Sequence, residues 1–146
     1  MDLYGLAECL IVLTGKHHGE SKDAEDLGIE IINEINNLMN EFSLKYNLNF
    51  ALINSKDFGG RFIERDRLEY GLISKVTDGD YYTNGSNIPK HYECDLAHKA
   101  KVEAPYHRLC LAGNSYLVNT KETLEENRQI IDLLDRYDLG CMCFKE

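Results

Sequence analysis

Residues 22–54 read KDAEDLGIEIINEINNLMNEFSLKYNLNFALIN, and the change of pattern at Asn47 sets the expected fold. Ala24, Leu27, Ile31, Ile35, Leu38, Met39 and Phe42 follow the 3.6-residue period, with Glu30, Asn33, Glu34, Asn37 and Glu41 largely on the other side. Ser21 can cap this segment, and Asp23, Glu25 and Asp26 put carboxylates at the positive end of the helix dipole. Lys22 to Tyr46 therefore reads as a helix. The residues that follow, NLNFALIN (47–54), are a short apolar run between polar ends and read as a buried strand. A strand directly after a long helix points to α/β organisation.

Upstream, Leu3, Leu6, Leu10 and Leu13 give helical spacing over Asp2 to Thr14, with Gly15 able to end the helix. GKHHGES (15–21) has loop composition, so His17 and His18 are expected to be solvated; adjacent imidazoles cannot easily point at one ion. Downstream, Gly59 and Gly60 mark a turn, Arg65 to Tyr70 a short helix and Leu72 to Thr77 a second strand. DGDYYTNGSNIP (78–89) has no periodicity and by composition alone is a solvated turn. Asp95 to Val102 reads as a short helix broken at Pro105, and Ser115 to Val118 as a buried strand. Thr123 and Glu126 make a capping-box pattern for a helix ending near Tyr137, after which Gly140 releases CMCF as a last strand. There is no internal repeat or long linker, so residues 1–146 are expected to be one domain.

The chain has 146 residues, one ordinary domain, with a formal charge of −9 that repels polyanions and argues against a nucleic-acid partner. No apolar run approaches the roughly 18 to 20 residues of a membrane span, and no basic segment precedes the apolar part of the N-terminus. A cytoplasmic protein with no membrane partner is expected. The five cysteines, Cys9, Cys94, Cys110, Cys141 and Cys143, are an odd, mostly dispersed set that fits reduced thiols. Cys141 and Cys143 form one compressed pair, short of the four ligands a structural zinc needs, and read as two thiols on one face of a terminal strand.

Four stretches carry a more specific signal: GLAECLIVLTGKHHGESKDAEDLGIEII, LNFALINSKDFGGRFIERDRLEYG, VTDGDYYTNGSNIP and KVEAPYHRLCLAGNSYLVN. In this order they resemble the later part of the catalytic barrel of anaerobic (class III) ribonucleoside-triphosphate reductases, in the glycyl-radical enzyme superfamily. The resemblance implies an α/β fold, a partial β/α barrel of glycyl-radical-enzyme type. It implies a nucleotide cleft in which Tyr82, Thr83, Asn84, His107, Gly113 and Asn114 bind substrate. In that family a glycyl radical, generated by a radical-SAM activase, oxidises a finger-loop cysteine, and the thiyl radical abstracts the 3′ hydrogen of the ribose. The resemblance sets the finger-loop cysteine ahead of Met1 and the glycyl segment after Glu146. It thus implies a truncated or split reductase, with no cofactor in this chain, inactive alone and acting with a complementary reductase chain or as a homo-oligomer.

Departures from the family motifs bear on mechanism. YYTNSFHVP becomes YYTNGSNIP, with Gly85 for serine and Asn87 for histidine; AGHISYVE becomes AGNSYLVN, with Asn114 at the histidine and Asn119 near the acidic position. NSKDFGGRF is shorter than the family's TPAE-to-GRF stretch, with Asp57 the candidate for the missing glutamate. Asparagine keeps hydrogen bonding but cannot exchange a proton near neutral pH, so no residue here is assigned catalysis. Cys110 reads as a buried small apolar residue, and Asp57, Glu64, Asp66 and Glu103 as carboxylates without catalytic spacing. The second functional reading is a non-catalytic nucleotide-binding or reductase-binding regulatory module.

Overall fold

The computed structural model describes residues 1–54, 59–114, 116–119 and 123–145. Five helices dominate: α1 (Leu6–Thr14), α2 (Lys22–Tyr46), α3 (Gly59–Tyr70), α4 (Leu96–Leu109) and α5 (Leu124–Tyr137). Two four-residue strands, β1 (Tyr116–Asn119) and β2 (Met142–Lys145), pair in parallel with Tyr116 opposite Met142, and α5 is the crossover between them.

α2 has the bounds its sequence predicts, and Ser21 Oγ accepts the Ala24 N–H at 3.3 Å. Its inward stripe is rotated, however: Ala24, Gly28, Ile32 and Met39 are buried, while Leu38 and Phe42 are exposed. Gly28 explains the rotation, because a Cβ there would stand 2.5 Å from the Tyr106 hydroxyl. Without it α2 and α4 could not approach so closely. α4 is central, with one core cluster (Leu6, Leu10, Ile32, Met39, Leu52, Tyr106, Cys110) and a second (Ala100, Ala104, Tyr116, Val118, Ile130, Leu133, Leu139) drawn from it and its neighbours.

The expected partial β/α barrel is overturned: the described residues are mostly helical, and their one sheet is the β1–β2 pair. NLNFALIN is not a strand. Asn47 caps α2 in the left-handed region at φ 52°, Leu48 and Phe50 are exposed, and only Ile53 makes bridges, to Asp2 and Gly113. Residues 72–77 also fail to extend. Thr77 Oγ1 donates to Gly71 O and accepts the Ile73 N–H, both at 2.7 Å, which closes a turn with Lys75 at φ 61°. Gly59 and Gly60 open α3 instead of marking a turn, and α4 runs through Pro105 to Leu109. Among the described residues no helix is long and apolar enough to cross a membrane.

Candidate functional site

Four extended segments meet beside the helices, each tied to the next by one or two backbone bonds. Gly5 N–H donates to Thr83 O (2.8 Å), Gly85 N–H to Leu3 O (3.0 Å), Leu3 N–H to Ile53 O (3.1 Å), and Asn54 N–H to Gly113 O (2.9 Å). The order across this junction is 83–85, 2–5, 52–54, 112–114. Too few bonds join them to form strands, yet they bring four distant stretches of sequence together.

A polar cluster sits at that junction. Asn54 Nδ2 donates to Asn114 Oδ1 at 2.5 Å, and Asn114 Nδ2 donates to Ser86 Oγ at 3.3 Å. The Ser86 carbonyl accepts from His18 Nε2 at 2.9 Å, which fixes the hydrogen of His18 on Nε2 and leaves Nδ1 as an acceptor. His18 Nδ1 and Asn87 Oδ1 are both buried without a partner among the described residues. Glu103, 1% exposed, holds the other end of the loop: its Oε1 accepts the Ile88 N–H at 2.7 Å and its Oε2 pairs with Lys99 at 2.8 Å. Burial raises the Glu103 pKa, against the pull of Lys99.

The sequence-predicted residues fall into three groups. Asn114 and Gly113 are in the junction; Gly113 takes φ 132° and its carbonyl carries the Asn54 bond. Tyr82, Thr83 and Asn84 are half-buried on its opposite edge. The Tyr82 hydroxyl donates to Asp66 Oδ2 at 2.7 Å, and the Thr83 N–H and hydroxyl both donate to Glu8 Oε1, at 2.9 and 2.6 Å. The Asn84 amide makes no hydrogen bond among the described residues. His107 stands apart on α4: its Nδ1 accepts the Gly140 N–H at 3.3 Å, so Nε2 carries the hydrogen. Burial, then Lys99, lowers its pKa to about 4.

His17 and His18 are not solvated; they are 2% and 1% exposed. His17 Nδ1 accepts the Gly19 N–H at 3.0 Å and its ring meets Tyr92 edge-on at 4.7 Å. Burial, then the neighbouring His17, pushes the His18 pKa down to about 4. Cys110 is buried as expected, its thiol pushed up to about 11 by desolvation. Asp57, Ser115 and part of the shortened NSKDF stretch lie outside the described residues. No group of three or more metal-ligating side chains occurs among the described residues.

Sequence reading missed Asn54, Ser86, His18, Glu8 and Glu103. Glu8 had a signal, since it is the lone charge in the apolar helix LAECLIVLT. Asn54 had none: its partner Asn114 is 60 positions away, and only folding brings the two side chains together.

The family model described as anaerobic ribonucleoside-triphosphate reductase matches residues 2–146, nearly the whole chain. The chain belongs to the anaerobic ribonucleoside-triphosphate reductase family. Curated relatives of that name are 28% identical in Salmonella typhimurium and 27% identical in Escherichia coli, each over 101 residues that cover 68% of this chain and 14% of the relative. The relative from Enterobacteria phage T4 is 28% identical over 91 residues, 61% of this chain and 15% of its own. The chain thus spans about one seventh of the length of the curated reductases it matches. In this chain the DYYTNGSNIP and LAGN stretches, far apart in the sequence, supply two of the four segments of the junction.

Proposed function

We propose that this chain supplies one wall of a ribonucleoside-triphosphate site of the anaerobic reductase type, and that it reduces nothing by itself but acts beside a complementary reductase chain. The observation that carries this reading is the convergence of Asn54, Ser86 and Asn114 at the segment junction, with the Asn84 amide on its edge. Amide and hydroxyl groups both donate and accept, which suits ribose hydroxyls and phosphate oxygens. Asn87 and Asn114 cannot exchange a proton near neutral pH, so the wall orients a ligand and does no acid–base work.

In the family a glycyl radical supplies the one-electron chemistry. Asparagine, serine and glutamate side chains are not one-electron relays, so the donor set of this wall fits nucleotide binding and does not fit the radical.

Calorimetric titration of the chain with ribonucleoside triphosphates tests the reading. Asn84→Ala is expected to weaken binding by about tenfold, the worth of one good hydrogen bond, without changing the fold, since this half-buried amide bonds nothing among the described residues. Anaerobic mixing with a complementary reductase chain, a radical-SAM activase and formate is then expected to yield deoxyribonucleotide. Binding without such complementation favours the regulatory-module reading; no nucleotide binding at millimolar concentration sinks the nucleotide-wall reading and leaves only a reductase-binding module.

A further inference from the structure

On the far side of Thr83 from the asparagine cluster lies a cavity of about 260 Å³ whose walls include Tyr4, Glu8, Cys9, Asp66, Val76 and Tyr82. Among the described residues no lysine, arginine or histidine lines it. Glu8 is 8% exposed; its Oε1 holds both Thr83 hydrogens, while Oε2 is buried without a partner among the described residues. Asp66 Oδ2 accepts the Tyr82 hydroxyl, and among the described residues no cationic side chain lines the cavity beside it. Among the described residues, two carboxylates thus share one partly desolvated space without a lining counter-charge, an arrangement that favours a bound cation.

We propose that this cavity binds a primary ammonium or guanidinium group, with Glu8 and Asp66 as counter-charges and the rings of Tyr4 and Tyr82 as walls. Tyrosine faces attract such cations, and the chain's net charge of −9 raises their local concentration. The volume holds one short alkyl cation and falls below the range of about 300 to 1,000 Å³ that larger ligands occupy. A hard divalent ion, which wants six or more oxygens, is a poorer match to two carboxylates. Glu8 Oε2 is buried without a partner among the described residues, so its charge acts on the cation by through-space attraction from within the wall. The inference does not depend on nucleotide binding, because neither Glu8 nor Asp66 belongs to the asparagine wall.

The test is an amide-resolved NMR titration of the whole chain with ethylammonium and methylguanidinium chloride at constant ionic strength, with neutral acetamide as the control. Saturable shifts are expected at Gly5, Glu8, Val76 and Tyr82 with the cations and not with acetamide. Both Glu8→Gln and Asp66→Asn should weaken the cation by about tenfold or more. A blocked lysine or arginine tripeptide separates the two sources: tighter binding than the free cation identifies another polypeptide's side chain, and equal or weaker binding a free amine. Equal shifts from acetamide, or a cation affinity unchanged in Asp66→Asn, overturn the proposal. Asp66 lies on the half-buried face of α3 and anchors only the Tyr82 hydroxyl, so its variant remains readable if Glu8→Gln unfolds.

Discussion

A Cβ built on Gly85 would lie 2.1 Å from both Cγ and Oδ1 of Asn54, and the backbone there has φ +50°. Asn54 is itself 6% exposed and tied to Asn114, so it cannot swing away freely. In the sequence, Gly85 reads as a family serine that lost its hydroxyl. The fold gives it a different meaning: the missing side chain makes room for the Asn54 amide, and the polar group at this point comes from another segment. Gly85→Ala should therefore lower stability by about 2 to 4 kcal/mol, combining left-handed strain with overpacking. In a double-mutant cycle read by urea unfolding, Asn54→Ala should recover more than half of that loss; independent, additive effects would show that the two side chains do not compete. At this scale Tyr82, Thr83 and Asn114 were legible as polar positions. Their partners were not, since Asp66, Glu8 and Asn54 are named only by three-dimensional proximity.

α2 and α5, whose signals are local, formed where the sequence put them. The capping box of α5 is realised, with the Glu126 N–H reaching Thr123 Oγ1 and the Thr123 N–H reaching Glu126 Oε2, both at 3.3 Å. Thr123→Ala should cost about 1 kcal/mol in denaturant unfolding and speed hydrogen exchange in the first turn of α5; an unchanged exchange rate would mean that the cap carries nothing. β1 and β2 were also legible, as SYLV and CMCF, because each finds its neighbour across one helix. NLNFALIN failed for the complementary reason. A strand is made by its partners, and here Ile53 meets Asp2 and Gly113 for a single residue each. Pro105 misled in the other direction. Its lost hydrogen bond and ring clash cost about 3 kcal/mol in an isolated helix, but Val102, Glu103, Ala104 and Tyr106 around it are buried, and that packing holds α4 together.

Across the whole molecule, buried ionisable groups tie stability to pH. His18 and His107 have folded pKa values near 4 against an ordinary 6.5, so between those limits the unfolded chain binds protons that the folded chain refuses. Their contribution is fully present above pH 6.5 and declines as pH falls toward 4, by at most about 1.4 kcal/mol per pH unit for each histidine. Glu103 has the opposite sign: its raised pKa favours the fold at low pH and is lost as pH rises from 4.5 through the folded value, which offsets part of the slope. Unfolding free energies at pH 7, 6 and 5 should fall in that order, and His18→Gln should flatten the decline; a level profile would contradict the burial of both imidazoles. The sequence by itself determined family membership, the extents of α2 and α5, the negative net charge and the polar character of the DYYTNGSNIP stretch, because periodicity, capping and motif order are local properties of the chain. Tertiary structure alone decided that the fold is helical around α4 instead of a partial barrel, that His17 and His18 are buried, and that Asn54 fills the space left at Gly85. Those outcomes depend on which distant segments come together, and burial, desolvation and steric exclusion exist only once they have.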